Sequence, residues 1–263
     1  MQKSLADINF NEIIHYPNIT GYSKSEQPYY CNGFCIKCEK NNVSHSLTTI
    51  SHGADSNDFK LKYGNQNYGN KEPIMFLFED PSPSAPKDDT GEFLESNGLK
   101  KHIPFYYYYW IDERINSIPK TKLELLNYPR SIPAYILYLQ EIYQLDNVYV
   151  TNFVKCFSKE KKSKDKQAKD EYDNVLKTCF TNYLSKEIEI FKPKIILSFG
   201  GRQFGHLGYY ITNSQDFGID NNILKNYIED IHYFKLYHPS PGNSTPFEEI
   251  VDHNDKILSK ILS

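Results

Sequence analysis

The chain has 263 residues, of which 39% are hydrophobic and 24% charged, as is typical of a globular protein with a sizeable core. Its formal net charge of −3 argues against a globally basic nucleic-acid-binding protein. No apolar run approaches the roughly 20 residues of a membrane span, and the first residues, MQKSLADINFNEII, lack the apolar core of a signal peptide. We therefore expect a cytoplasmic protein without a membrane partner, whose five cysteines are metal ligands or buried thiols.

The predicted elements alternate between strands and helices. Short apolar, β-branched and aromatic runs predict four strands buried on both faces, over Ile74 to Phe78, Val148 to Thr151, Lys194 to Phe199 and Tyr233 to Tyr237. Apolar residues at helical spacing predict helices over Ile132 to Gln144, Asp170 to Phe191 and about Pro246 to Ile261. The alternation indicates an α/β fold, a three-layer α/β/α sandwich around a four-stranded parallel sheet. We expect one domain over residues 1–263, with 1–72 as a cysteine-containing N-terminal extension and 73–263 as the core.

Polar side chains follow the predicted strands. Glu79 and Asp80, in FEDPSPSAP, come directly after the first strand, and Asn152 comes directly after the second. The third strand runs into Gly200-Gly201, and the fourth into His238 of HPSP. Because parallel strands end at one edge of the sheet, where α/β folds bind ligands, we expect an acidic pair, an amide and an imidazole to lie at this edge.

The segments FEDPSPS, VYVTNFVKC, EIFKPKIILSFGGRQFG and YHPSPGN, in this order, resemble the successive motifs of the uracil-DNA glycosylase superfamily over about residues 73 to 262. The phrase NFVKC, with a second cysteine in the next helix, is similar to the iron-sulfur branch. The resemblance implies a four-stranded parallel sheet between helices and hydrolysis of an N-glycosidic bond. The segment from Pro83 to Asp146 and about the first 30 residues have no clear counterpart and are interpreted as family-specific additions.

The resemblance also implies roles for the strand-end residues. Asp80 matches the carboxylate that orients water and stabilises the sugar cation in the family whose first motif reads Gly-Gln-Asp-Pro-Tyr-His. Glu79 matches the functional Glu of the iron-sulfur branch; we favour Asp80, and the choice stays open. His238 would donate a hydrogen bond to the pyrimidine O2, and Asn152 would face the Watson-Crick edge of the base. Ser240, of the same HPSP element, is expected to bind substrate.

Two further positions and an aromatic run bear on how the base is bound. Phe93 lies where the iron-sulfur branch has a stacking Phe, although the Pro of its Gly-x-Pro-Phe element is missing here. The aromatic run at 105–110, FYYYYW, is another source of rings for a flipped-out base. Ser82 replaces a Tyr that excludes C5 substituents in the first family. We therefore expect a pocket that accepts uracil or a 5-modified pyrimidine.

Cysteine spacing predicts a metal site. Four thiolates suit either a 4Fe-4S cluster or a zinc ion, and the resemblance to the iron-sulfur branch favours a cluster on Cys35, Cys38, Cys156 and Cys179. Cys31 is then left over, and a site that uses Cys31 with Cys38 remains an alternative.

The segment between the last two cysteines is rich in lysine. Residues 155–169 contain seven lysines against two acidic residues. A cluster would fix the segment at both ends, and we then expect phosphate contacts from Lys159, Lys161, Lys162 and Lys164. The expected partner is single- or double-stranded DNA, bound by a monomer.

The sequence therefore predicts a monofunctional DNA glycosylase that removes a flipped-out uracil or 5-modified pyrimidine and leaves an abasic site. Its role would be in base-excision repair or in defence against phage DNA that carries modified bases. The alternative is a metal-stapled nucleic-acid-binding protein that recognises a base without catalysis.

Overall fold

The computed structural model describes residues 50–52, 54–55, 72–79, 102–104, 117–154, 173, 176–177, 179–212, 231–240 and 243–262. Their strands are β1 (Ile50–His52), β2 (Ala54–Asp55), β3 (Ile74–Phe78), β4 (His102–Pro104), β5 (Val148–Asn152), β6 (Ile195–Phe199) and β7 (His232–Leu236). Their helices are α1 (Lys122–Asn127), α2 (Ile132–Tyr143), α3 (Ser185–Phe191), α4 (Gly201–Thr212) and α5 (Phe247–Ile261).

The main sheet has the strand order β2-β5-β3-β6-β7. The strands β5, β3, β6 and β7 are parallel to their neighbours, and β2 adds an antiparallel edge. The predicted four-stranded parallel sheet is thus confirmed, with each strand within one residue of its expected bounds. The two-residue β2 and the separate β1–β4 pair are too short to show a periodicity, and the sequence did not predict them.

One face of the sheet packs against α2. The side chains of Phe76, Phe78 and Phe199 belong to one buried cluster with the residues of this helix, and every α2 residue from Ile132 to Gln140 is buried. The helix connects β3 to β5, which makes it part of the core crossover. The interpretation of Pro83 to Asp146 as an addition is therefore wrong for α2.

The start and end of α2 have identifiable causes. Ser131 caps the helix, its Oγ accepting from the Ala134 N–H at 3.3 Å, and a proline occupies the first turn. Gln144 adopts a left-handed conformation (φ 52°) and ends the helix one residue before the predicted end.

Strand β7 departs from its prediction. The strand was expected to be buried on both faces, but Lys235 is exposed, as is His232, which the prediction did not include in the strand. Of the described strands β7 is the outermost on its side, so that it has a single ladder partner, β6. Tyr237, predicted to end the strand, lies beyond the ladder and is 41% exposed.

The remaining helices agree in part with the sequence prediction. The predicted helix over Asp170 to Phe191 ends as expected and contains a π-helical turn at Phe180–Leu184. The sequence did not predict α1, which is short, or α4, whose three glycines lower its helix propensity. No helix in the described part of the chain is long and apolar enough to cross a membrane.

Candidate active site

The carboxyl ends of the four parallel strands lie at one edge of the sheet. Glu79 follows β3 directly, and Asn152, the last residue of β5, is in register with Phe78 and fully buried. Main-chain hydrogen bonds continue past both strands: the Phe153 N–H donates to the Phe78 carbonyl at 2.7 Å, and the Val154 N–H donates to the Glu79 carbonyl at 2.8 Å. The main chain of Glu79 is therefore fixed beside the exit of β5.

The strands β3 and β6 form the switch point of this topology. The chain leaves β3 towards β5 on one side and leaves β6 towards β7 on the other, and ligands of α/β folds bind in the crevice beyond such a pair. Glu79 and Gly200 are the residues that leave these strands. Gly200 has a φ of 129°, which glycine adopts readily, and its N–H donates to the Leu236 carbonyl at 3.0 Å.

The imidazole of His238 lies against the end of β3. Its ring centroid is 5.4 Å from that of Phe78 in an edge-to-face contact, and Phe78 stacks on Phe199 at 4.6 Å. Phe78 and Asn152 are paired in register on neighbouring strands, so their side chains share one face of the sheet. His238 thus contacts the last residue of β3, and Asn152 is paired with that residue on the neighbouring strand.

A main-chain contact sets the tautomer of His238. The Ser240 N–H donates to His238 Nδ1 at 3.0 Å, so that Nδ1 is an acceptor. In the neutral imidazole the proton then resides on Nε2. His238 therefore presents an N–H donor without carrying a positive charge. Within the HPSP element it is the main-chain N–H of Ser240 that fixes this tautomer.

Asn254 of α5 fixes the residue before the histidine. Its Oδ1 accepts from the Tyr237 N–H at 2.7 Å, and its Nδ2 donates to the Tyr237 carbonyl at 2.9 Å. Asn254 is fully buried, and its amide satisfies both main-chain groups of Tyr237. Tyr237 also stacks on His253, with ring centroids 3.8 Å apart.

Arg130 fixes the residues after the histidine. Its Nε donates to the Pro239 carbonyl at 3.1 Å, and its Nη1 donates to the carbonyls of Asn243 and Thr245 at 3.2 and 3.0 Å. The guanidinium also lies 5.4 Å from the centre of the Phe247 ring. Burial lowers the pKa of Arg130 from its ordinary value, and a guanidinium stays charged at neutral pH nonetheless. One positive charge thus sits beneath the HPSP loop.

A second buried group supports β5 from the other face. Glu187 of α3 accepts hydrogen bonds from the Tyr149 hydroxyl at 3.1 Å and from Thr151 Oγ1 at 3.2 Å. The carboxyl is buried, as are both donors. Thr151 precedes Asn152 in the strand, so this network lies directly behind the candidate site.

Sequence reasoning missed Arg130, Asn254 and Glu187. Asn254 carried a signal, because it interrupts the apolar stripe of α5 that includes Ile250 and Leu258. Arg130 carried none, since it lies in a connecting segment 109 residues from its first partner.

Several predicted residues lie outside the described part of the chain: Asp80, Ser82, Phe93, Lys159, Lys161, Lys162, Lys164, Cys31, Cys35, Cys38 and Cys156. Of the predicted ligands Cys179 is described, and it is buried next to the π-helical turn. The described residues contain no group of three or more His, Cys, Asp or Glu side chains that could hold a metal ion.

Comparison with known proteins identifies the family. The family model described as the uracil DNA glycosylase superfamily matches residues 70–262, which include β3, β5, β6 and β7 and the residues Glu79, Asn152 and His238. Curated proteins give no match. A match over this much of the chain supports an activity of the glycosylase type, a hydrolase in general, and it leaves the iron-sulfur branch a prediction. The chain belongs to the uracil DNA glycosylase superfamily.

Proposed function

We propose that the protein is a monofunctional DNA glycosylase that hydrolyses the N-glycosidic bond of a flipped-out uracil or 5-modified pyrimidine in DNA. The observation that carries this proposal is the edge-to-face contact of His238 with Phe78 at the end of β3, together with the main-chain N–H that donates to His238 Nδ1. A neutral imidazole with its proton on Nε2 suits a donor to a pyrimidine oxygen, because negative charge develops on the base as it leaves.

The reaction breaks the bond between the anomeric carbon and the base nitrogen, and the electron pair leaves with the base. The sugar becomes an oxocarbenium-like cation, which a carboxylate at the end of β3 stabilises while it orients water. The water oxygen then bonds to the anomeric carbon, one proton of the water passes to the carboxylate or solvent, and the departed base takes a proton from solvent. Asp80 is our first candidate for the carboxylate and Glu79 the second.

Recognition of the base falls to the neighbouring positions. In this proposal Asn152 faces the Watson-Crick edge, since an amide offers both a donor and an acceptor. Phe93 stacks on the base and Ser240 contacts the substrate. Ser82 leaves room for a substituent on C5, which is why 5-modified pyrimidines join uracil as substrates. A protein with this preference would act in base repair or against phage DNA with modified bases.

The metal site belongs to the same proposal. Cys179 lies in the protein interior, as a cysteine that helps to hold a cluster would. With Cys35, Cys38 and Cys156 it would bind a 4Fe-4S cluster, or zinc as the alternative, whose part is to fix the lysine-rich segment. Lysines 159, 161, 162 and 164 would then contact the DNA backbone of one bound strand or duplex, with the protein acting as a monomer.

The experiment is a substrate panel. Oligonucleotides that carry uracil, 5-hydroxymethyluracil, 5-hydroxymethylcytosine or glucosylated 5-hydroxymethylcytosine are incubated with the protein and then treated with alkali, which breaks the strand at abasic sites. We expect alkali-dependent breaks at one or more of these bases. Breaks before alkali treatment would contradict a monofunctional enzyme.

Separate replacements assign the carboxylate. We expect Asp80→Asn to lower the rate by about 10²–10⁴-fold, the usual contribution of a positioned acid-base group, with Glu79→Gln as the matched control. The reverse order would assign the role to Glu79. Specific binding to a modified oligonucleotide without breaks at any base would instead support the alternative, a nucleic-acid-binding protein without catalysis.

A further inference from the structure

A groove of about 690 Å³ runs along the outermost described strand, between β7 and α5. Its lower end is formed by Ile195 and His232, at the amino ends of β6 and β7, together with Ile261 near the end of α5. Its upper end is formed by His253. The groove thus occupies a surface of the molecule other than the carboxyl edge that holds the candidate active site.

One wall of the groove is a basic stripe of α5. His253, Lys256 and Lys260 follow one another at intervals of three and four residues and so share a face of the helix. With a rise of 1.5 Å per residue the stripe is about 10 Å long. Both lysines are exposed, and the described lining, which includes His232, contains no carboxylate.

Three of the four carboxylates of α5 are bound elsewhere, and the fourth, Glu249, is not part of the groove lining. Lys122 of α1 forms ion pairs with Glu248 at 3.1 Å and Asp252 at 2.5 Å, and Asp255 accepts from the Tyr138 hydroxyl at 2.9 Å. The helix therefore directs these three acidic residues towards α1 and α2 and its basic residues towards the groove, while Glu249 lies one turn before His253. In a chain with a net charge of −3 this separation creates a local positive surface that suits an anionic ligand.

The rest of the lining is apolar and incompletely covered. Phe234 of β7 and Ile257 of α5 are partly buried against the core and reach the groove. An aromatic ring beside lysines is the combination that binds a single nucleic-acid strand, because bases stack on the ring while the lysines contact phosphate. The same lining is less suited to a duplex, whose bases are already stacked.

The upper end of the groove adjoins the candidate active site. His253 stacks on Tyr237 with the two rings nearly parallel, and Tyr237 immediately precedes His238. Tyr237 is 41% exposed. A strand that leaves the active site along this side therefore meets the Tyr237–His253 pair first and the lysines next.

We propose that this groove binds the single strand of DNA that continues from the nucleotide held in the active site. The strand's phosphates lie on Lys256 and Lys260, and one base lies against Phe234. This inference rests on the proposed function, since both concern the same DNA.

The test is the salt dependence of binding to a single-stranded oligonucleotide with unmodified bases, measured by fluorescence anisotropy. Each phosphate contact on a single strand contributes about 0.7 to the slope of log K against log salt, so the slope should become shallower by about 1.4 in Lys256→Ala/Lys260→Ala. The matched control is Lys120→Ala/Lys177→Ala, which removes two exposed lysines outside the groove and should alter the slope less.

A slope that changes no more in the groove variant than in the control would overturn the proposal. Polyglutamate that binds the wild type but not the groove variant, with no change in the DNA slope, would assign the groove to an acidic peptide and would also overturn it. Base release is assayed separately. A wild type that releases no base, but whose groove variant shows the shallower slope, contradicts the glycosylase proposal and supports the DNA groove.

Discussion

The two ends of the candidate active site are held in different ways. At Glu79 the main chain continues the hydrogen-bond ladder of β3 and β5. At His238 the ladder has ended, and side chains take over: Asn254 binds the residue before the histidine and Arg130 binds the loop after it. The main chain at Glu79 is therefore held by the sheet, whereas His238 is held by side chains that a single substitution removes.

The largest effect is expected from His238→Gln. Gln keeps an amide donor but lacks the ring nitrogen that accepts from the Ser240 N–H, so the donor loses its fixed position. Loss of one positioned donor to a developing anion typically costs about 10²–10³ in kcat. Single-turnover rates measure the loss, and the free energy of unfolding should change little because His238 is only partly buried. An unchanged rate would remove His238 from the reaction.

Arg130→Met should give the next largest effect, through the position of His238. The variant loses three hydrogen bonds to the loop carbonyls, about 1 kcal/mol each in the free energy of unfolding. A displacement of about 1 Å in a catalytic group can cost about 10²-fold in rate. We expect kcat to fall by about that factor, with KM changed less.

The control for Arg130 is Arg130→Lys, which keeps the charge but not the planar fork that reaches three carbonyls, and should recover part of kcat. If Arg130 served stability alone, folded Arg130→Met would retain the wild-type kcat. That outcome would contradict the difference drawn between the two ends of the site.

Thr151→Val tests the other end. It removes a hydroxyl that donates to the buried Glu187 carboxyl, and we expect a loss of about 1–3 kcal/mol in the free energy of unfolding. The kcat should stay near the wild-type value, because main-chain bonds hold Glu79. Urea unfolding and single-turnover rates measure the two quantities. A fall in kcat as large as that of Arg130→Met would show that Glu79 also depends on side-chain contacts, and would contradict the difference between the two ends of the site.

The smallest effect is expected from Asp255→Asn, which alters the contact between α5 and α2. Burial raises the pKa of Asp255, against hydrogen bonds from the Tyr138 and Tyr143 hydroxyls that lower it. Because the folded pKa is above the unfolded one, the carboxyl's contribution to stability is complete below its ordinary pKa and is lost as pH rises through the raised value.

The free energy of unfolding, measured over this pH range, should therefore fall with rising pH more steeply in the wild type than in Asp255→Asn. The kcat should be equal in the two proteins at neutral pH. Parallel pH profiles of stability would contradict the assigned cause of the pKa shift.

The strands could be predicted from the sequence because each is a short apolar run between turn residues, and their parallel order followed from the alternation with helices. From this order alone, Glu79, Asn152 and His238 could be expected at one edge. The exposure of β7 could not be predicted, because Phe234 and Leu236 look the same in an edge strand and in a central one.

The supports of the site were harder to predict. Arg130 acts on a loop more than 100 residues away, and the residue type by itself does not indicate a partner among main-chain carbonyls. The separation of charge on α5 depends equally on tertiary contacts, since the pairing of Lys122 with Asp252 spans 130 residues. Such contacts follow from the packing of helices and not from local pattern.

The most direct test of the central claim is the mass of the products formed from a single oligonucleotide that contains uracil or the 5-modified pyrimidine selected by the panel. We expect free base and an unbroken strand with one abasic site from the wild type, and starting material alone from Asp80→Asn/His238→Gln over the same time. An unchanged oligonucleotide with the wild type, or equal base release by the double variant, would contradict the account.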